Sequence, residues 1–226
     1  GGILYDAARL RKPEPAMFAR DYWKARGLLE QFAGRGGTVS RIPWPEGDWI
    51  LTHYRRGGFA ARVSADRYVW LGANATRSFR EWRLLAELHR RGLPVRAPIA
   101  AYYECRAGTY RADIITARLP DARTLAQAIE AAPLDATAWS RVGRTIARFH
   151  AAGVHHADLN ANNIMLVGDD VYLLDFDRGR MRARGAWEET VIARLKRSLD
   201  KVKSKQPGAH FAEHDWRALV DGVHES

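Results

Sequence analysis

The hydrophobic period of this chain changes once, near Leu119-Pro120, and that change limits the folds open to it. Upstream, Gly34, Gly36, Gly37, Gly47, Gly57 and Gly58 bracket short runs such as Trp49-Ile50-Leu51-Thr52-His53-Tyr54. β-Branched and aromatic residues dominate these runs, which predicts strands joined by tight turns. One stretch there is helical instead: Phe79, Trp82, Leu85 and Leu88 recur every three residues, Ser78 offers an N-cap, and Gly92 with Pro94 ends the run. Residues 99–103 and 112–116 predict two further strands that turn at Gly108. Downstream, Trp139, Val142, Ile146 and Phe149 mark an amphipathic helix stopping near Gly153, and Val191, Leu195, Leu199 and Val202 mark another. Between them, residues 164–167 and 171–174 predict a hairpin around Gly168-Asp169-Asp170. The order predicts an α+β chain of two lobes with a cleft: residues 1–118 carry the sheet and one helix, residues 119–226 are mainly helical.

Composition narrows the partners. The 226 residues are 46% hydrophobic and 27% charged, enough for a packed core and unlike a disordered chain or a miniature disulfide scaffold. Net charge is +10, and 30 of the 36 basic residues are arginine, whose planar fork matches phosphate and carboxylate. Anionic partners are therefore expected, with charge alone leaving nucleic acid, phosphate and anionic membrane equally open. The single cysteine, Cys105, cannot close an intrachain disulfide, and the N-terminal residues lack a charged-then-apolar signal pattern, so a reducing cytoplasmic compartment is the expectation. With no apolar run approaching about eighteen residues, membrane association is expected to be peripheral.

Two motifs carry the chemistry. His156-Ala157-Asp158-Leu159-Asn160-Ala161-Asn162-Asn163 is followed, beyond the hairpin, by Leu173-Leu174-Asp175-Phe176-Asp177. Together they resemble the protein-kinase catalytic loop, H-R-D-L-x-x-x-N, and the metal-binding D-F-G, with Ala157 in place of Arg and Asp177 in place of Gly. Phosphoryl transfer needs a carboxylate beside the acceptor hydroxyl and an amide oxygen on the same loop for magnesium. That resemblance assigns Asp158 as the catalytic carboxylate and Asn163 and Asp175 as metal ligands, with ATP and Mg2+ as cofactors. His156 is read as a buttress of the loop, because a loose transition state needs little covalent help. A polar turn followed by a strand end is the bland alternative for each motif taken singly.

Further upstream, Gly34-Arg35-Gly36-Gly37-Thr38 lies at a predicted strand turn, where bare backbone N–H groups at Gly34, Gly36, Gly37 and Thr38 could approach phosphates. A cation for the α/β-phosphates is expected from the next strand, but no Val-Ala-Ile-Lys exists. Arg55 and Arg56 are the candidates; the period-2 pleat lets one of them face the cleft, and Arg55 is favoured, oriented by Glu81 on the helix. Adenine is expected near residues 116–119.

The 49 residues after Asp177 contain no Ala-Pro-Glu, so a shortened helical second lobe is expected. His53-Tyr54-Arg55-Arg56-Gly57-Gly58, His156 through Asn163, Leu174-Asp175-Phe176-Asp177-Arg178 and Arg194-Leu195-Lys196-Arg197-Ser198-Leu199 together resemble the bacterial 3-deoxy-D-manno-octulosonic acid (Kdo) kinases of lipopolysaccharide core assembly, over residues 18–202. The resemblance implies ATP-dependent phosphorylation of the 4-hydroxyl of a Kdo sugar on a lipid A precursor, at the cytoplasmic face of the inner membrane. Kinases of inner-core heptose are similar, so the acceptor stays open between the two sugars. Arg178, Arg180, Arg182 and Arg184 alternate after the metal motif and are candidate contacts to the acceptor's phosphate and carboxylate groups. The last helix adds Arg194, Lys196, Arg197, Lys201, Lys203 and Lys205 toward an anionic, membrane-borne acceptor, or simply a solvated face, and an anionic membrane surface is expected as a second partner. A nucleic-acid-binding module and a pseudokinase scaffold are the competing classes. Trp23, Trp82 and Trp139 at core spacing weigh against the first, so no nucleic-acid partner is expected, and intact Asp158, Asn163 and Asp175 weigh against the second.

Overall fold

The computed structural model describes residues 1–31, 39–55 and 66–225. The chain forms two compact units, residues 1–87 with 96–118, and residues 88–95 with the chain from 119 onward.

The first unit contains β1 (Gly2–Tyr5), α1 (Arg20–Lys24), β2 (Glu30–Gln31), β3 (Val39–Ile42), β4 (Trp49–His53), β5 (Tyr68–Val69), most of α2 (Arg77–Arg90), β6 (Pro98–Arg106) and β7 (Thr109–Ala117). Among the described residues its strands form one antiparallel sheet in the order β1-β6-β7-β4-β3-β2, with β5 also paired to β7. Leu51 faces Ile115 in the β4–β7 register and both are buried, so their side chains help to build the core. β6 and β7 turn through Ala107 and Gly108, both left-handed at φ 49° and 70°, which is the two-residue turn matching strand twist. Trp44 and Trp49 stack with centroids 4.2 Å apart, and Trp23 meets both edge-on while its indole N–H donates to Met17 O at 2.6 Å. Three of the tryptophans thus pack the sheet. Ser78 is not the cap expected of it: α2 begins one residue earlier, and Ser78 Oγ donates to Tyr102 O at 2.9 Å, pinning the helix to β6.

The second unit contains β8 (Arg123–Thr124), α3 (Leu125–Ala131), α4 (Ala136–Ala151), β9 (Val154–His155), β10 (Ile164–Val167), β11 (Asp170–Leu173), β12 (Arg180–Met181), α5 (Trp187–Lys205) and α6 (Glu213–His224). Residues 88–95, expected with the first lobe, group here because Leu173 N–H donates to Pro94 O at 3.1 Å and Val95 bridges Leu173. The expected hairpin is β10–β11, turning at Gly168 with φ 54°. Asp135 caps α4 through Ala138 N–H at 2.7 Å, and the predicted stripe of Trp139, Val142, Ile146 and Phe149 is buried. α3 and α6 were not anticipated. Thr124 and Gln127 cap each other's backbone N–H at the start of α3. α6 lies so close on α4 that a Cβ on Gly143 would collide with Leu219 O, and one on Gly222 with Ser140 O.

Candidate active site

Alternation governs the loop between β9 and β10. Leu159, Ala161 and Asn163 turn inward and are buried, while Asp158, Asn160 and Asn162 remain partly or fully exposed. The inward residues anchor the loop: Ala161 O accepts from Ala126 N–H at the start of α3, and Ala161 N–H donates to Ser198 Oγ of α5 at 3.1 Å. The Asp158 carbonyl accepts from two side-chain amides, Asn160 Nδ2 at 2.8 Å and Asn163 Nδ2 at 3.0 Å. With its main chain held on both sides, Asp158 projects a carboxylate whose side chain is 38% exposed.

His156 explains how the two motifs meet. It is 2% exposed; its Nε2–H donates to Leu174 O at 2.7 Å, and its Nδ1 accepts from Asp158 N–H at 3.3 Å. That pair of bonds selects the neutral Nε2–H tautomer, and burial pushes the imidazole below its ordinary pKa in the same direction. A neutral, doubly bonded ring is a strut, joining the loop to the segment that carries Asp175. A second tie runs from Leu174 N–H to Asn163 O at 2.9 Å. Beneath them Phe176, 1% exposed, packs on His156 at 4.7 Å and stacks on Phe149 at 5.7 Å. The aromatic residue between the two acids therefore locks the strand end into the core, leaving Asp175 exposed at φ 64°.

The donor set fits magnesium. Asn163 Nδ2 is committed to Asp158 O, so its amide oxygen is the atom left for a cation, and Asp175 adds an exposed carboxylate. Among the described residues no cluster of three or more His, Cys, Asp or Glu is placed to cage a metal. One amide oxygen and one carboxylate are what an ion needs when it keeps water and phosphate oxygens as its other ligands.

α5 contributes what the loop motif did not reveal. Arg194 Nη2 pairs with Asp158 Oδ1, and Ser198, one turn on, holds Ala161. The signal was present in the i, i+4 spacing of Arg194 and Ser198, but nothing local in the sequence shows which loop that face meets. α3, the loop and α5 enclose a cleft of about 620 Å3 that includes Asp158, Asn160, Asn162 and Arg194 in its lining.

The four alternating arginines divide. Arg178, Arg180 and Arg182 are exposed, and the positive charges of Arg180 and Arg182 join burial in pushing His155 below its ordinary pKa. Arg184 is instead held in a two-pronged pair with Glu188, at 3.0 and 2.9 Å, at the start of α5. In the first unit, Arg55 is exposed and lies past the end of β4. Its neighbour Tyr54 donates its hydroxyl to Glu81, and both are buried. Gly34, Gly36, Gly37, Thr38 and Arg56 lie outside the described residues.

Comparison with known proteins converges on one group. Residues 21–222 match the lipopolysaccharide kinase (Kdo/WaaP) family. A 3-deoxy-D-manno-octulosonic acid kinase of Xanthomonas campestris pv. campestris is 45% identical over 208 residues, covering 91% of this chain and 83% of the relative. One of the same name from Stenotrophomonas maltophilia is 45% identical over 210 residues, with the same coverage. A solved structure described as WaaP in complex with acyl carrier protein superposes with a TM-score of 0.60 at 15% identity, covering 100% of this chain and 90% of that one. This likeness supports an α+β, protein-kinase-like fold. The match over nearly the whole chain means that this protein belongs to the lipopolysaccharide kinase (Kdo/WaaP) family.

Proposed function

We propose that this lipopolysaccharide core kinase transfers the γ-phosphate of ATP to the 4-hydroxyl of a Kdo residue on a lipid A precursor. Asp158 is the observation that carries the reading: its carbonyl is held by Asn160 and Asn163, and its part-exposed carboxylate lines a cationic cleft, paired there with Arg194. The identity of 45% to enzymes named Kdo kinases supports the choice of sugar.

In this scheme Asp158 orients the acceptor hydroxyl and takes its proton as the P–O bond forms. Arg194 fixes the rotamer of that carboxylate until the acceptor arrives. Asn163 and Asp175 would hold Mg2+, which when bound neutralises charge on the nucleotide phosphates. His156, neutral and bonded at both nitrogens, keeps Asp158 and Asp175 in register and exchanges no proton. Arg178, Arg180 and Arg182 are assigned to the acceptor's anionic groups, and Arg184 to holding Glu188. Arg55, Glu81 and the backbone at Gly34, Gly36, Gly37 and Thr38 are assigned to the nucleotide on the strength of the sequence pattern. Among the described residues no helix is long and apolar enough to cross a membrane. Peripheral attachment to the anionic cytoplasmic face of the inner membrane is the arrangement proposed.

Asp158→Asn tests the assignment. The variant keeps the size and the backbone clamp but loses the charge that receives the proton, so turnover on a Kdo-bearing acceptor should fall by about 100-fold or more. Magnesium-dependent protection by ATP in a thermal melt should persist. Near wild-type transfer by this variant would remove Asp158 from the chemistry.

A further inference from the structure

Beyond Arg194, which pairs with Asp158, the cations of α5 divide into two sets. Lys196 pairs with Asp200 at 2.7 Å and lies over the rings of Phe211 and Trp216, while Lys203 donates to Ala209 O at 2.5 Å. These two are satisfied within the unit. Arg197, Lys201 and Lys205 are exposed and make no ion pair or hydrogen bond among the described residues. They share one face with Arg194, at steps of three or four residues, and all four line the cleft that contains Asp158. Four of the chain's six lysines lie on this one helix, in a protein whose other basic residues are almost all arginine. Among the described residues, counter-charge in the cleft lining is limited to Asp158 itself and Glu130 on the α3 wall.

From Arg194 to Lys205 is eleven residues, or about 16 Å of helix at 1.5 Å per residue. An isolated phosphate would occupy one step of that ladder. A ligand that uses the whole ladder is an extended polyanion with one end at Asp158. We propose that Arg197, Lys201 and Lys205 form the binding track for the phosphate groups of the acceptor's own sugar–lipid body, laid along α5 while its reacting sugar sits at Asp158. The inference rests on the Kdo kinase reading and adds to it a site and an orientation. Charge complementarity selects this occupant over the membrane at large: the unpaired cations line a walled cleft that begins at the catalytic carboxylate, whereas a flat anionic surface would meet exposed cations irrespective of the wall they line.

The test compares two double variants that remove equal charge, Arg197→Gln with Lys201→Gln, and Lys196→Gln with Lys203→Gln. Both are assayed on a Kdo-bearing lipid A precursor dispersed in neutral detergent micelles, which carry no anionic phospholipid. The first pair should raise the acceptor KM by roughly 10-fold, as expected for losing charge-assisted contacts, with kcat and the KM for ATP unchanged. The second pair should leave all three within about twofold. Phosphatase removal of the acceptor's lipid A phosphates should raise the wild-type KM to match, and raise that of the first pair no further, because the two changes delete the same contact. An unchanged acceptor KM in the first pair, while the wild type transfers normally, overturns the track and leaves the kinase reading standing. Equal loss of binding to anionic vesicles by both pairs, with no KM change in micelles, assigns the charge to the membrane and also overturns it. Failure of the wild type on every Kdo-bearing acceptor overturns both readings.

Discussion

Asp175 holds a left-handed conformation, φ 64°, which costs a residue with a side chain on the order of 1 kcal/mol. Phe176 and the bond from Leu174 N–H to Asn163 O keep it there. Asparagine tolerates the same backbone, so Asp175→Asn should leave the melting temperature without ligand unchanged. It removes a charged oxygen donor, so protection by magnesium and ATP should disappear together with turnover. Retained magnesium-dependent protection would mean that the cation is held elsewhere. The contrast with Asp158→Asn, which should spare binding and lose transfer, separates the two carboxylates by role. At this scale the sequence was legible where near neighbours decide: the loop of Asp158 and Asn163 meets the segment that carries Asp175, and His156 is the strut between them. It was not legible for Arg194, whose meeting with Asp158 spans 36 residues of chain, nor for Tyr54, whose hydroxyl donates to Glu81 across 27 residues.

Elements of the second unit make two predictions. α4 and α6 pack with their backbones in near contact at Gly143 and Gly222, and any added methyl would meet a carbonyl oxygen of the partner helix. Gly143→Ala or Gly222→Ala should therefore cost about 1–3 kcal/mol through forced separation, despite alanine's better helix propensity, and lower the melting temperature by roughly 5 °C. A rise in melting temperature would mean that the helices part without loss. Elsewhere in the unit, His150 is buried at 4% exposure, edge-on to Trp187 at 5.1 Å, with Glu188, Arg184 and His155 as its charged or titratable neighbours. Burial lowers its pKa to about 4, against the weaker pull of Glu188. Between about pH 6.5 and 4 the unfolded chain binds a proton that the folded chain refuses, so acidification should remove up to roughly 3 kcal/mol of stability. His155 and His156 are shifted the same way and add to the slope. Denaturant melts at pH 7 and pH 5 should show the loss, and His150→Leu should reduce it; an unaltered pH slope in that variant would place the sensitivity in other groups. The helix periods that revealed α4 and α5 are long and strongly apolar on one side. α3 was missed because seven residues hold too few turns for a period to show, and α6 because Gly222 reads as a helix breaker until α4 is there to require it.

For the whole molecule, the shift from strand period to helix period predicted two kinds of lobe, and the sheet of the first unit and the helices of the second follow it. The exchange of residues 88–95 was not legible, because it depends on Pro94 and Val95 meeting Leu173, a long-range pairing that composition does not encode. Family membership limits the reaction to lipopolysaccharide kinase chemistry, and the choice of sugar is the central claim that a single measurement can decide. Incubating the wild-type chain with ATP labelled at the γ-phosphate, and a panel of Kdo-bearing lipid A precursor, its heptosylated form, free Kdo and a protein mixture, should place the label on the Kdo 4-hydroxyl of the lipid precursor, read by mass spectrometry and phosphorus NMR of the product. Label on heptose of the heptosylated acceptor, with none on Kdo in any acceptor, would contradict the account.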